Sequence, residues 1–319
     1  MARIDELRLI TRVARLYYEK EMSQSEIARH LGFSQATVSR ALNRARSDGI
    51  VRISINVPNG IYTVLEEQLI EYYGLRDAVI VDSIRNDDEP LIMRELGAAA
   101  AYYVESAIQQ NEIIGLSSWS STLLALVDAM HNVHRKPGIQ VVQILGGVGN
   151  PAAEAHANRL TGRLADLVGG EVVPLPAPGI VGSAAARQAF LEDRYVCEAT
   201  SLFDKVTMAL VGIGAIEPSK LLAESGNIFS ADELALLSKE GAVGDILLRF
   251  FDLNGDPADT FLNDRVMSMS LDQLRKVDKA IGVAGGMRKC EAIRGALVGK
   301  WVNILITDQF TAECLLSDI

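Results

Sequence analysis

The chain has 319 residues, 49% of them hydrophobic, with a formal net charge of −10 and three cysteines. That length supports two domains and a substantial core. No apolar run approaches the roughly 20 residues that span a bilayer, and the start, Met1-Ala-Arg-Ile-Asp-Glu-Leu-Arg8, has no secretory hydrophobic segment.

Residues 5–20 read as an amphipathic helix, with Leu7, Ile10, Val13, Ala14 and Tyr17 at helical spacing and Arg8, Arg12 and Arg15 outside. The stretch from Met22 to Arg44 then reads as a helix-turn-helix. Ile27, Ala28 and Leu31 form the buried face of its first helix. Gly32 follows where a left-handed residue is cheapest, and Ser34 offers an N-cap for the second helix. Val38, Ala41, Leu42 and Ala45 mark that helix's inner face. Its outer face carries Gln35, Ala36, Ser39, Arg40 and Asn43, with Arg44 beside it. Amides, hydroxyls and arginines without a carboxylate suit base edges and phosphates in a major groove. Gly49–Asn56 follows as an alternating strand and resembles the wing of a winged helix-turn-helix.

Pro58-Asn-Gly60 breaks the chain and divides it into residues 1–57 and 58–319. Residues 1–52 hold 10 Lys and Arg against 6 Asp and Glu, a balance of +4, whereas the rest carries −14. A basic head on an acidic body fits phosphate contact by the head alone. The stripe Ile61, Leu65, Leu69 and Tyr72 predicts a helix leading out of the head, which either packs on its own domain or forms a dimer contact.

Beyond it, short apolar strands alternate with helices. Strands are predicted at Ala78–Val81, Ile113–Leu116, Gln140–Leu145, Glu171–Leu175, Val206–Ile213, Ile246–Phe251, Lys279–Val283 and Val302–Ile306. Helices are predicted at Leu91–Gln109, before Met130, at about Ala152–Val168 and at Lys289–Leu297. This alternation predicts an open, doubly wound α/β sheet with parallel strands.

In such sheets ligands bind beyond the carboxyl ends of the strands. There the sequence places Ser117-Ser-Trp-Ser-Ser-Thr122, whose hydroxyls and N–H groups can wrap an anion at a helix start. Gly146-Gly147, Gly212-Ile-Gly214 and Gly285-Gly286 follow other strands; each pair alone is more simply a tight turn. Lys289 can reach an anion, and Asp245 and Asp252 can accept from sugar hydroxyls or serve as turn residues. No Rossmann fingerprint and no Walker loop is present, so no cofactor is expected. His131 and His134 stand three apart with no third ligand nearby and read as a surface pair; His156 is equally undistinguished. Cys197, Cys290 and Cys314 have no ligand spacing, and their odd number points to free thiols in a reducing cytoplasm. No metal is expected.

The chain resembles the SorC family of bacterial transcriptional regulators over nearly its whole length. The likeness rests on Ser23–Ala28 with Thr37–Arg40, Ile114–Leu123, Val141–Gly147, Gly244–Ile246 with Phe250–Asp252, and Gly285–Lys289 with Ala292-Ile293 and Gly295–Leu297. The resemblance implies a winged helix-turn-helix joined to an effector domain similar to sugar-phosphate isomerases, used for sensing. It implies DNA contacts from Ser34, Gln35, Thr37, Ser39, Arg40, Asn43 and Arg44. It implies a phosphate held by Ser118, Trp119, Ser120, Ser121 and Thr122, and a pocket involving Gln143, Gly146, Gly147, Gly212 and Gly214. Asp252 would meet hydroxyls, and Lys289 the phosphate or a nearby oxygen. In the family loop a glycine often follows the tryptophan; here Ser120 stands there.

The leading expectation is a cytoplasmic, effector-controlled regulator of a carbohydrate or polyol operon. Its partners would be operator DNA and a sugar, polyol or sugar phosphate, with no membrane, and it would assemble as a dimer or tetramer. The alternative is a sugar-phosphate isomerase or deaminase carrying a DNA-binding head, but no acid/base pair or nucleophile is evident, so no catalytic residue is assigned.

Overall fold

The computed structural model describes residues 2–52, 58, 60–83, 88–133, 136–149, 151–218, 220–226 and 229–317. Contacts divide the chain into two units, Met1–Pro58 and Asn59–Ile319.

In the first unit, helices α1 (Ala2–Tyr18), α2 (Gln24–Leu31) and α3 (Gln35–Ser47) surround one core. Ile10, Val13 and Ala14 meet Ile27 and Ala28, and both groups meet Val38, Ala41, Leu42 and Ala45. Gly32 ends α2 at φ 70°, and the Ser34 side chain accepts from Thr37 N–H at the start of α3. Ser23 also forms a capping box with Glu26 at the start of α2, a pairing not read from the sequence. The expected wing is not a strand over Gly49–Arg52, because Val51 N–H turns back to the Ala45 carbonyl at 2.9 Å. Its remaining residues, 53–56, lie outside the described set.

The second unit begins with α4 (Thr63–Tyr73), β1 (Asp77–Val81), α5 (Glu89–Ala107), β2 (Ile113–Leu116), α6 (Ser121–Ala129), β3 (Gln140–Gln143), α7 (Pro151–Val168) and β4 (Glu171–Val173). Then come α8 (Ala184–Glu192), α9 (Arg194–Thr200), β5 (Met208–Gly212), β6 (Gly214–Ala215), α10 (Lys220–Ser225), α11 (Ala231–Lys239), β7 (Ala242–Ile246) and β8 (Arg249–Asp252). The chain closes with α12 (Leu271–Leu274), β9 (Lys279–Val283), α13 (Cys290–Val298), β10 (Ile304–Asp308) and α14 (Gln309–Leu316).

Seven strands form a parallel sheet in the order β1-β10-β9-β5-β2-β3-β4. Its central strands are apolar on both faces. Met208 and Leu210 pack with α5, α6 and α7, whereas Ala209 and Val211 pack with α4, α9, α13 and α14. Helices on both faces explain why these strands read as continuous apolar runs. At the amino end of the sheet one ion pair is buried: Lys279 Nζ lies 2.6 Å from Glu112 Oε1.

Two expectations are corrected. Ile246–Phe251 is not one strand. It is the tip of a β7–β8 hairpin in a separate antiparallel sheet, β6-β7-β8. Leu247 and Leu248 make the turn at φ 57° and 63°, a conformation usually supplied by glycine or asparagine. Both are buried, so the turn carried no polar signal. Nor are the cysteines all free: Cys290 and Cys314 are bonded, with Cα atoms 6.5 Å apart, and Cys197 is free and exposed. Helices α13 and α14 bring together residues that are distant in sequence.

Among the described residues no helix is long and apolar enough to cross a membrane. No group of three acidic, histidine or cysteine side chains among them suits a metal. His131 is exposed with Nδ1 3.3 Å from Glu105; His134 and the His156 side chain lie outside the described set.

Candidate functional site

The sheet reverses direction between β2 and β5. From there β3 and β4 build toward one edge, and β9, β10 and β1 toward the other. At such a reversal the loops leaving the two central strands diverge to opposite faces and open a crevice. The loop after β2 runs into α6, and the loop after β5 runs through Gly212 to Gly214. A cavity of about 640 Å³ occupies this crevice.

Most of its wall comes from the segments that follow β2, β5 and β9, the turn of the β7–β8 hairpin and the start of α5, with Leu145 after β3 and Leu222 of α10 completing it. Trp119, Ser120, Ser121 and Thr122 come from the β2 loop, and Gly212 and Gly214 from the β5 loop. Asp245, Leu247 and Leu248 come from the hairpin, and Gly285, Arg288 and Lys289 follow β9. The start of α5 adds Glu89, Ile92, Met93 and Leu96. Sequence reasoning missed this helix and the two leucines. Only the pattern Gly-Gly-Met-Arg-Lys hinted at Arg288, and nothing local marked Glu89.

Each polar group has a defined setting. Ser120 is the N-cap of α6; its Oγ accepts from Leu123 N–H at 3.3 Å. That leaves the Ser121 and Thr122 N–H groups at a helix start, where partial positive charge gathers. Asp245 is half-buried, and loss of water pushes its carboxyl up to about 6, against the opposing pull of the Leu248 N–H and Lys289. Lys289 is half-buried too. Burial, then Arg288, lowers its ammonium, while Glu89 and Asp245 act the other way. Arg288 Nε donates to Glu89 Oε1 at 3.0 Å. Gly214 pairs directly with Asp245 in the small sheet, and a Cβ there would collide with the Asp245 carboxyl.

Eight of the thirteen residues expected to bind an effector therefore meet at one cavity: Trp119, Ser120, Ser121, Thr122, Gly212, Gly214, Asp245 and Lys289. Ser118, Gln143, Gly146, Gly147 and Asp252 are not on its wall. Ser118 is fully buried and donates to the Leu145 carbonyl at 2.9 Å. Gln143 is spent inside the fold, donating to Thr161 Oγ1 and accepting from Leu175 N–H. Gly146 accepts from Trp119 Nε1 at 2.8 Å, and any Cβ on it would strike the Pro178 carbonyl. Gly147 packs against the Gln143 amide. Asp252 pairs with Ala242 at the opposite end of the hairpin and accepts from Asp256 N–H at 2.9 Å.

The first unit presents a different surface. Gln35, Arg40 and Asn43 are exposed on the outer face of α3, and Ser39 is half-buried there. Ser34 and Thr37 are engaged with each other, their hydroxyl oxygens 2.8 Å apart. Arg44 forms ion pairs with Glu6 and with Asp48. Arg46 donates to the Tyr18 hydroxyl at 2.8 Å. Among the described residues Arg40 has no carboxylate partner; its Nε donates to the Ala36 carbonyl at 3.3 Å.

Comparison with known proteins agrees with this division. Residues 60–317 match the family described as "Putative sugar-binding domain", and residues 8–56 match the MarR family. The chain is 32% identical to the sorbitol operon regulator of Klebsiella pneumoniae, over 99% of this chain and 100% of that one. It is 34% identical to the deoxyribonucleoside regulator of Bacillus subtilis, over 96% of both. The crystal structure of the full-length sorbitol operon regulator SorC from K. pneumoniae superposes with a TM-score of 0.74, covering 98% of this chain and 99% of that one. The chain belongs to the SorC family of sugar-responsive transcriptional regulators.

Proposed function

We propose that this chain is a cytoplasmic regulator that reads operator DNA with α3 and binds a sugar, polyol or sugar phosphate in the cavity at the sheet reversal. Gln35, Ser39 and Asn43 read base edges, and Arg40 contacts a phosphate or a guanine edge. Ser34 and Thr37 shape the start of the reading helix, and Arg44 adds to the local positive field. In the cavity, Ser121 and Thr122 N–H groups and Lys289 take the more anionic end of the effector. Asp245 accepts from hydroxyls at the other. Because an acidic body does not hold DNA, useful affinity needs paired heads, hence a homo-oligomer. An effector shifts DNA occupancy by binding one arrangement of those heads more tightly than another.

The observation that carries this reading is the convergence of three loops from the sheet's carboxyl edge and the hairpin turn around a half-buried carboxylate and ammonium. The test is a thermal-shift screen of sorbitol, deoxyribose and their phosphates. A ligand at 100 times its dissociation constant adds about 2.7 kcal/mol of stability. A hit must lose its effect in Lys289→Met and must change the chain's retention on its own upstream DNA. A hit that ignores Lys289→Met refutes the assignment of the cavity.

One feature favours a second reading, catalysis: Asp245, its carboxyl raised by burial, shares the cavity wall with Lys289, an arrangement suited to proton transfer. Turnover of a sugar phosphate that vanishes in Asp245→Asn would establish it. Its absence across the panel leaves sensing as the function.

A further inference from the structure

Cys290 and Cys314 are bonded although 24 residues separate them. The position of the bond gives it meaning. Cys290 opens α13 directly after Lys289, and Ala292 in the same turn packs against Gly244, next to Asp245. Cys314 lies on α14. The N-cap of that helix, Asp308, and its first-turn Thr311 both accept from the Gly286 N–H, at 2.7 and 2.9 Å. The bond therefore ties together the two helices that seat the Gly285–Lys289 wall. Without it the helices keep a contact, because Arg294 donates to the Cys314 carbonyl at 2.9 Å.

The two sulfurs are not equivalent. Cys290 is 5% exposed and packs in the apolar core where α13 begins. Cys314 is half-buried and is the sulfur that an external thiol reaches more readily. A thiol attacking Cys314 would expel Cys290 as the leaving group.

We propose that Cys290–Cys314 is a reversible redox site, exchanging with glutathione or a comparable small thiol, that sets the stiffness of the lysine-bearing wall. Its consequence for ligand affinity rests on reading the cavity as the effector site; its chemistry does not. In reduction, a glutathione thiolate attacks Cys314 Sγ. The protein S–S bond breaks, and its electron pair leaves on Cys290 Sγ. A second glutathione thiolate attacks the glutathione sulfur of the mixed disulfide and releases the Cys314 thiolate with glutathione disulfide. The two protons from glutathione end on the two cysteines. Two small thiols are oxidised and one protein disulfide is reduced; glutathione disulfide drives the reverse.

The test uses the full chain equilibrated in glutathione buffers of graded ratio. Thiols are counted by maleimide mass shift, and amide exchange is followed over residues 285–298. Two thiols should appear together as the buffer becomes reducing, while the exposed Cys197, which itself takes up glutathione in oxidising buffer, is followed by its own mass shift. Exchange of Gly286 and the first turn of α13 should quicken by at least about tenfold on reduction, while β9 stays protected. Cys314→Ser should exchange fast in either buffer, and should that variant not fold, the unaltered chain in two buffers gives the same comparison. A bond that never forms under glutathione disulfide overturns the proposal, as does one that resists reduced glutathione in the folded chain. Equal exchange rates in the two states overturn it as well. A sugar or sugar phosphate that binds should weaken by about three- to tenfold on reduction. If no sugar or phosphate binds in either state, the cavity's assignment fails, whereas the thiol count and exchange rates decide the redox site by themselves.

Discussion

Gly212 and Ser120 face each other across the reversal of the sheet: a Cβ at residue 212 would lie 2.8 Å from Ser120 Oγ. One residue ends β5 and the other caps α6, so the gap between them is the crevice between the two diverging loops. A side chain here invades the cavity rather than the core. Gly212→Ala should keep the fold and cut ligand affinity by about tenfold, and Gly212→Val by more. Calorimetric titration with the panel's best ligand measures this. Unchanged affinity in the valine variant would place the ligand elsewhere.

Asp245 predicts a pH dependence with a definite sign. Burial raises its carboxyl from 3.8 to about 6, so the folded chain holds that proton more tightly than the unfolded chain. The stability this group contributes is complete below about pH 4 and is lost as pH rises through about 6. Asp245→Asn removes the cost of the buried charge. It should therefore stabilise the ligand-free chain at pH 7 by about 1–3 kcal/mol, with the gain disappearing near pH 4. Urea unfolding across that range reads it directly. A destabilised variant at pH 7 would mean that Lys289 more than compensates for burial.

The Lys279–Glu112 pair supports the amino end of the sheet. Lys279 Nζ also donates to the Ala107 carbonyl at 3.0 Å, and Glu112 accepts from Gln109 N–H at 2.7 Å. Lys279→Met leaves a buried carboxylate without its cation and should cost about 3–5 kcal/mol. Adding Glu112→Gln should restore part of that loss, because the stranded charge is gone. Denaturant midpoints of the single and double variants test this, and equal midpoints would contradict it.

The arginines of α3 should separate in salt dependence if that helix contacts DNA. Among the described residues Arg40 has no carboxylate partner, whereas Arg44 is held by Glu6 and Asp48. Arg40→Ala should lower the slope of log affinity against log salt by about one on duplex DNA. Arg44→Ala should change it less, since that guanidinium is already partly neutralised, and should cost at most about 1 kcal/mol of stability as an exposed pair. Equal slopes for the two variants would refute the distinction.

The sequence by itself determined the helix-turn-helix and most of the sheet, because both depend on local pattern. Gly32 and Ser34 announced the end of one helix and the start of the next, and each cap sits where its residue type is cheapest. The strands Ile113–Leu116 and Lys279–Val283 were legible to the residue, since strands covered on both faces are short and, apart from Lys279 at one end, carry no charged side chain. Only the tertiary structure decided the rest. Leu247 and Leu248 turn a hairpin at positive φ, held by burial and by the Asp245 side chain accepting from Leu248 N–H at 3.0 Å, so no turn residue was written there. Ser118 and Gln143 look like ligand groups in sequence but satisfy buried partners, whereas Glu89 and Leu96 reach the cavity from a helix far away in the chain. The Cys290–Cys314 bond exists because α13 and α14 pack side by side. Hydrophobic period and capping are properties of neighbours along the chain. Which polar groups face the cavity, and which are consumed inside the fold, depends on what long-range packing places beside them.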